Sequence, residues 1–309
     1  MAMTSRSVFL QVSAVILLAL FWAVNWPIMK IGLTVVEPWT FRAAVVVVGG
    51  IGCLLVARMM GLSIAIPRGD LRALLWLTLF QGVLWNAFSG FGIALVDAGR
   101  ASVLGFTMPV WATLVSIVVL KEAVTPRRMS GLGLGLVAMG LLLLPVVDSL
   151  TGQFTGALLM LAGAMCWGVA TVMVKAHDWE MNMMALSGWQ FVVGSVPLGL
   201  AALVLGDPAS LLRVDAVAAA AVAYSALIPM IFCQAIWFTI VRRLPTVMAS
   251  TGTLLVPPLG VLSAALILGE TVSGLDIAAL FLVLAAMVLI LPGFNWRAIL
   301  RQRQVSPPE

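Results

Sequence analysis

The chain has 309 residues, 62% of them hydrophobic and only 9% charged, with a formal net charge of +5. Soluble domains carry roughly 25% charged residues, so no aqueous fold could hide this much apolar surface, and the composition implies an all-α polytopic membrane protein. The basic residues sit in short loops between apolar runs, where they set membrane orientation rather than bind nucleic acid.

Ten apolar segments follow one another, at 8–29, 38–57, 73–96, 101–120, 129–147, 154–174, 184–206, 214–241, 246–268 and 275–294. Most are close to the ~20 residues that carry a helix across a ~30 Å hydrocarbon core. The first follows Arg6 with no small-residue cleavage pattern behind it, so it reads as a retained helix rather than a secretion signal. The second is interrupted by Arg42, close enough to a helix end for its long side chain to snorkel to the headgroups. Thr125 and Pro126 make an N-cap and first-turn pair for helix five, and Pro145 and Pro292 close helices five and ten. Gly49, Gly50 and Gly52 in helix two and Gly131, Gly133 and Gly135 in helix five allow close helix contact. Cys53, Cys166 and Cys233 lie inside apolar runs without paired spacing and read as packing residues. The single histidine, His177, stands beside Asp178 and Glu180 and reads as a solvated loop residue. Trp39, Trp76, Trp179 and Trp296 lie near helix ends and belong to the interfacial belts.

Arg6, Arg58, Arg68, Arg72, Lys121, Arg127, Arg128, Lys175, Arg242, Arg243, Arg297, Arg301 and Arg303 share one side of the membrane. The other side, together with Arg42, holds only Lys30, Arg100 and Arg213 among basic residues, and collects Glu37, Asp97, Asp148, Asp207, Asp215, Glu270 and Asp276. The positive-inside rule therefore puts both termini in the cytoplasm, and the alternation requires an even number of helices.

Shifting the chain by 148 positions lays Ala101, Ser102, Pro109, Glu122, Val124, Ala138 and Met139 on Ala249, Ser250, Pro257, Glu270, Val272, Ala286 and Met287. Trp22 and Lys30 recur as Trp167 and Lys175 at an offset of 145. Two five-helix copies separated by five crossings must run in opposite directions, so residues 1–150 and 151–309 read as inverted repeats, the usual construction of a secondary transporter.

Polar groups deep in lipid are costly and mark a cavity. The candidates for substrate binding are Trp22, Asn25 and Trp26 in helix one; Trp85, Asn86 and Ser89 in helix three; Met108, Pro109 and Trp111 in helix four; Trp167 and Thr171 in helix six; and Gln234 and Trp237 in helix eight. Pro109 and Pro257 each remove a backbone donor near mid-membrane, while Glu122 and Glu270 occupy matching helix ends where each could latch its own side. With Lys30 and Lys175 these are the candidates for gating or conformational roles. Every Asp and Glu falls in a loop or at a helix end, so tight proton coupling is not visible, and the uncharged amides, hydroxyls and indoles suit a neutral or zwitterionic solute with an apolar part. An intramembrane enzyme would need a Ser/His pair, paired Asp residues or a metal cluster at depth, and no catalytic, metal or cofactor constellation stands out.

Trp22 through Asn25 and Pro27 to Lys30, Pro38 with Phe41 and Arg42, and the stretches from Pro109 to Glu122 and from Pro257 to Glu270 resemble the drug/metabolite transporter superfamily, EamA type. The resemblance covers essentially the whole chain, and within the superfamily the sequence is similar to bacterial amino-acid exporters of the YddG kind, whose preferred solutes include aromatic amino acids. It implies a basket of ten helices, a central cavity lined by both halves, cytoplasmic termini in the bacterial inner membrane, and export by alternating access. Gly168 and Thr171 stand near where the first-helix pattern has a Pro and an Asn, so those roles do not carry over. The expected function is export of amino acids or related small metabolites, with broad drug efflux as the alternative. The expected partners are a small-molecule substrate and the lipid bilayer, compatible with a monomer and without nucleic acid.

Overall fold

A computed structural model gives the fold and describes residues 5–122, 125–147, 152–236 and 254–290. Every regular element among them is helical: α1 Ser5–Leu33, α2 Pro38–Met59, α3 Leu71–Leu95, α4 Ala98–Val119, α5 Pro126–Val146, α6 Gln153–Ala176, α7 Met183–Leu205, α8 Ala216–Ile236, α9 Val256–Leu268 and α10 Gly274–Ile290. The first eight are long and apolar enough to cross a membrane, and α9 and α10 are shorter apolar helices. The expected start of helix nine, Arg242, Arg243, Asp148, Pro292 and Trp296 lie outside the described residues.

Helix ends in an apolar medium leave backbone donors that only the chain itself can satisfy. Glu37 accepts from Trp39 N and Thr40 N at 2.9 and 3.1 Å to start α2. Thr125 accepts from Arg128 N at 3.3 Å with Pro126 in the first turn of α5. Asn182 and Asp215 cap α7 and α8 through Ala185 N and Ala218 N. Pro145 lies in the short 3-10 turn, Leu144–Val146, that closes α5.

Two helices contain a π-helical stretch, Thr78–Leu84 in α3 and Ile228–Phe232 in α8. Two contain or follow a break. In α4 the helix stops at Gly105 and resumes at Met108, with Pro109 in the first turn of the second segment. In α9 Pro257 takes the same place after Leu255. The residues before the two resumptions share a conformation, Thr107 at φ −74 and ψ −7 and Leu255 at φ −77 and ψ −19. Each proline lacks the N–H that would bond the carbonyl one turn back, and Pro109 sits where that bond is already interrupted by the stop at Gly105.

The amino-terminal segment of α4 is the centre of the bundle. All of its residues except Arg100 are buried, packed among Trp26 and Met29 of α1, Ile93 of α3, Met160 of α6, Ala264 of α9 and Val283 of α10. Small residues let the neighbours close in, since an apolar solvent gives packing rather than exclusion as the driving force. A Cβ on Gly50 would meet Val192 N at 2.7 Å, joining α2 to α7, and Gly92 and Gly156 each face the other's carbonyl at 3.1 Å, joining α3 to α6. Gly49 and Gly52 receive Met230 and Ile231 of α8. In helix five the expectation divides by helical phase. Gly131 and Gly135, one turn apart, meet Ile290 and Val110, whereas nothing lies within 4 Å of a Cβ on Gly133, which points the other way.

The α2–α3 and α6–α7 loops are stitched together. Buried Asp70 accepts from Met181 N at 2.9 Å and lies 2.8 Å from His177 Nε2, while Asn182 and Trp189 donate to the carbonyls of Ser63 and Ile64. His177 is therefore a tie between two loops rather than a freely solvated side chain, because a buried carboxylate needs donors and the histidine is one of them.

Gly82 and Gly194 provide a stability test. Their Cβ positions lie 2.7 Å from Gln190 O and 3.1 Å from the Gly82 backbone, atoms that cannot rotate away. Gly194→Val should destabilise the detergent-solubilised protein by about 1–3 kcal/mol, lowering its melting midpoint. Gly199→Val, with nothing within 4 Å of its Cβ position, should leave the midpoint unchanged.

Candidate functional site

The π-helical stretch of α3 organises the polar chemistry beside it. A wide turn shifts carbonyls out of the ordinary ladder, and Asn86 Nδ2 donates to two of them, Gln81 O at 3.1 Å and Gly82 O at 3.0 Å. That fixes the amide, so its Oδ1 accepts from Arg42 Nη1 at 3.4 Å. Arg42 Nη2 donates to Ser89 Oγ at 2.8 Å, and Ser89 donates in turn to Trp85 O at 2.6 Å. Gly90 makes the room, its Cβ position lying 3.0 Å from Arg42 Cγ. Arg42 is 5% exposed. It turns inward rather than snorkelling to the headgroups, because α3 offers two neutral acceptors and an absent side chain where the guanidinium enters.

Two of the aromatic candidates meet beside α3. The indoles of Trp85 and Trp167 meet edge to face at 4.7 Å between centroids and 89° between planes, an arrangement favoured by the ring quadrupoles. Gly163 accommodates Trp85, and Thr171 Oγ1 donates to Trp167 O one turn further along α6. Gly168, the neighbour of Trp167, lets α4 approach so closely that its Cβ position is 2.7 Å from Ala112 N and 2.8 Å from Trp111 Cβ. Trp111 Nε1 is buried without a hydrogen-bond partner, as is Asn25 Oδ1 on α1. Met108 and Pro109 are half-buried beside this contact, and Trp22 and Gln234 are half-buried on α1 and α8. Trp26 does something different: it wedges between α4 and α9, its ring 2.7 Å from the Cβ position of Gly105 and 3.6 Å from that of Gly260. Trp237 lies outside the described residues.

The gating candidates sort to the two ends. Glu270 follows Gly269, which has φ +68, and its two oxygens accept from Ala98 N at 2.7 Å and Gly99 N at 2.9 Å. It caps α4 from α9, satisfying donors that point away from a helix start and adding a negative charge where the helix dipole favours one. Next to it Lys30 Nζ bonds Val96 O in the field of Glu270 and Asp97, and Arg100 pairs with Asp276 at 3.0 Å. The Arg100–Asp276 pair was not foreseen from the sequence. At the other end Lys121, at φ +51, precedes Glu122, which pairs with Lys175 and, at 2.8 Å, with Arg128. Pro257 is buried behind the α9 resumption.

The family model described as EamA-like transporter family matches residues 10–144 and again 154–291. A protein of Escherichia coli (strain K12) named "Probable amino-acid metabolite efflux pump" is 27% identical over 293 residues, covering 91% of this chain and 95% of that one. A "Probable terminal-alkyne amino-acid exporter" of Streptantibioticus cattleyicolor is 26% identical over 301 residues, 96% of each chain. A solved crystal structure with 17% sequence identity shares the fold, with a TM-score of 0.60 over 95% of this chain and 99% of that one.

The hydrogen bond from Lys175, then the charges of Lys175 and Arg128, hold the Glu122 carboxyl below its ordinary range and outweigh its partial desolvation. A depressed folded value means that the ion pair contributes fully above the ordinary carboxylate pKa and is lost as pH falls through the depressed one. Glu122→Gln should lower the melting midpoint slightly at pH 7, by less than about 1 kcal/mol for a pair near the surface. The difference from the parent should close as the pH is taken below the usual carboxylate range.

Proposed function

Since this chain belongs to the EamA-like transporter family, a multi-pass membrane transporter rather than an enzyme, we propose that it exports amino acids, aromatic and other neutral ones favoured, or related small metabolites. The route is alternating access between two inverted five-helix repeats, residues 1–150 and 151–309, in a bacterial inner membrane with both termini cytoplasmic. The matched relatives with amino-acid names support the substrate class. The loop charges support the orientation.

One observation carries the mechanism: several contacts between the two halves recur with the roles of the halves exchanged. Helix α1 packs on α9 through Ser263 Oγ and Ala23 O at 3.3 Å, and its counterpart α6 packs on α4 at Gly168 and Ala112. The 148-residue shift carries the α4 resumption and Pro109 onto the α9 resumption and Pro257, Lys121 onto Gly269, and residues 80–84 of the α3 π stretch onto 228–232 of α8. Lys30 lies by Glu270, and Lys175 by Glu122. Two halves that make the same contacts with roles swapped have two packings of comparable energy, which is what opening a midplane site to each side in turn requires.

Within that frame the substrate lies against Trp85 and Trp167, one indole from each half, and draws on Trp111 Nε1 and Asn25 Oδ1, buried atoms whose unused hydrogen-bonding capacity suits an amino-acid backbone. Glu270 on the start of α4 and Glu122 with Lys175 act as the two end contacts, made and released as the halves rock, with Pro109 and Pro257 marking the segments that bend.

Purified protein in liposomes should exchange labelled L-phenylalanine. Trp167→Ala should slow that exchange roughly two- to tenfold, as expected from an aromatic contact of ~0.5–1.5 kcal/mol, with expression and melting midpoint intact. Liposomes that move no labelled amino acid in either direction would sink the reading.

A further inference from the structure

Of the basic side chains in the described helices that enter the bundle, two have anionic company and one does not. Arg100 is paired with Asp276, and Lys30 sits in the field of Glu270 and Asp97. Arg42 forms no ion pair among the described residues. Its guanidinium is buried, its hydrogen bonds run only to the neutral oxygens of Asn86 and Ser89, and its Nε has no partner. A guanidinium carries five N–H donors and no acceptor, and burying such a charge without a counterion is costly. Joining α2 to α3 does not require that cost, because a neutral amide would make the same two contacts.

We propose that Arg42 is the anchor for the carboxylate of the transported solute. This rests on the amino-acid reading above and extends it to a residue and an atom group. The contact to Asn86, at 3.4 Å, is long and readily exchanged. Together with the free Nε it leaves the guanidinium with donors to offer, and its planar fork matches the two oxygens of a carboxylate. One positive charge flanked by an amide and a hydroxyl fits a monoanion; a phosphate would call for a second base, and the side chains bonded to Arg42 supply none. The second repeat has neutral Ser187 at the matching offset of 145, so the site is single.

Placement agrees with this assignment. Arg42 lies four residues inside α2, ~6 Å from its end, and Ser89 six residues inside α3, ~9 Å from its end. Ser89 is hydrogen-bonded to the backbone of Trp85, so one turn of α3 carries both the hydroxyl that holds the anion anchor and the indole that meets Trp167. A zwitterion with an aromatic or other apolar side chain has the same two ends.

The test compares labelled L-phenylalanine with labelled L-phenylalanine amide, identical but for the carboxylate, in proteoliposomes of the parent, Arg42→Gln and Arg42→Lys proteins. The parent should exchange the amide at least tenfold more slowly than the acid. Arg42→Gln should lose the acid exchange more than tenfold while its amide exchange stays within twofold of the parent, and Arg42→Lys should fall between. Equal exchange of acid and amide by the parent, or Arg42→Gln that keeps acid exchange or loses both probes alike, overturns the anchor alone. Should Arg42→Gln fail to fold, the parent's acid-to-amide ratio and Arg42→Lys decide. A parent protein that moves neither probe overturns the amino-acid reading itself.

Discussion

The backbone of a chain in lipid has no water to bond, so every donor that leaves the helical ladder has to find an acceptor inside the protein. The start of α4 poses this problem most sharply, because it is buried in the middle of the bundle. Glu270 solves it by accepting from Ala98 N and Gly99 N. One carboxylate thus ties the centre of the first half to the end of α9, and the packing of α1, α3, α6 and α10 around α4 is built on a helix start that would otherwise carry orphaned N–H groups.

The same constraint explains where polar chemistry collects. A π stretch in α3 displaces carbonyls, Asn86 takes them up, and its remaining oxygen then has a fixed direction that Arg42 uses. A break in α4 before Pro109 places Met108 to Ala112 against the small surface of Gly168, so that Trp111, whose indole N–H is unpartnered, starts out beside the chain neighbour of Trp167. Irregular backbone and the side chains proposed for binding coincide because each irregularity creates polar groups that only a side chain or a solute can satisfy.

The two halves share architecture and differ in chemistry. Left-handed residues precede both Glu122 and Glu270, and prolines follow both resumptions. Arg42 has no basic counterpart, since Ser187 stands at the matching offset, and Trp26, wedged beside Gly105 and Gly260, is matched by Thr171. On the reading proposed above, the symmetric scaffolding supplies the reversible motion and the asymmetric lining gives the solute a preferred orientation.

Much of this was legible in the residues alone. Long apolar runs between charged loops dictate membrane helices, because hydrophobicity and span length are local properties. The repeat of Pro109 and Glu122 as Pro257 and Glu270 is visible as spacing, and the cap at Thr125 with Pro126 depends on neighbours in sequence. What a side chain meets across the bundle is not local. Arg42 could equally have reached the headgroups, and only the position of Gly90, Asn86 and Ser89 on a neighbouring helix turned it inward. His177 could have stayed in water, and only the docking of two loops gave it Asp70. Gly131, Gly133 and Gly135 look alike in the chain, and helical phase together with the placement of α10 and α4 separated the two that make contacts from the one that makes none. Apolar periodicity and spacing set which segments form helices and that they come in two copies. The tertiary packing alone decided which buried charges have partners, since a counterion is a matter of distance in space rather than position along the chain.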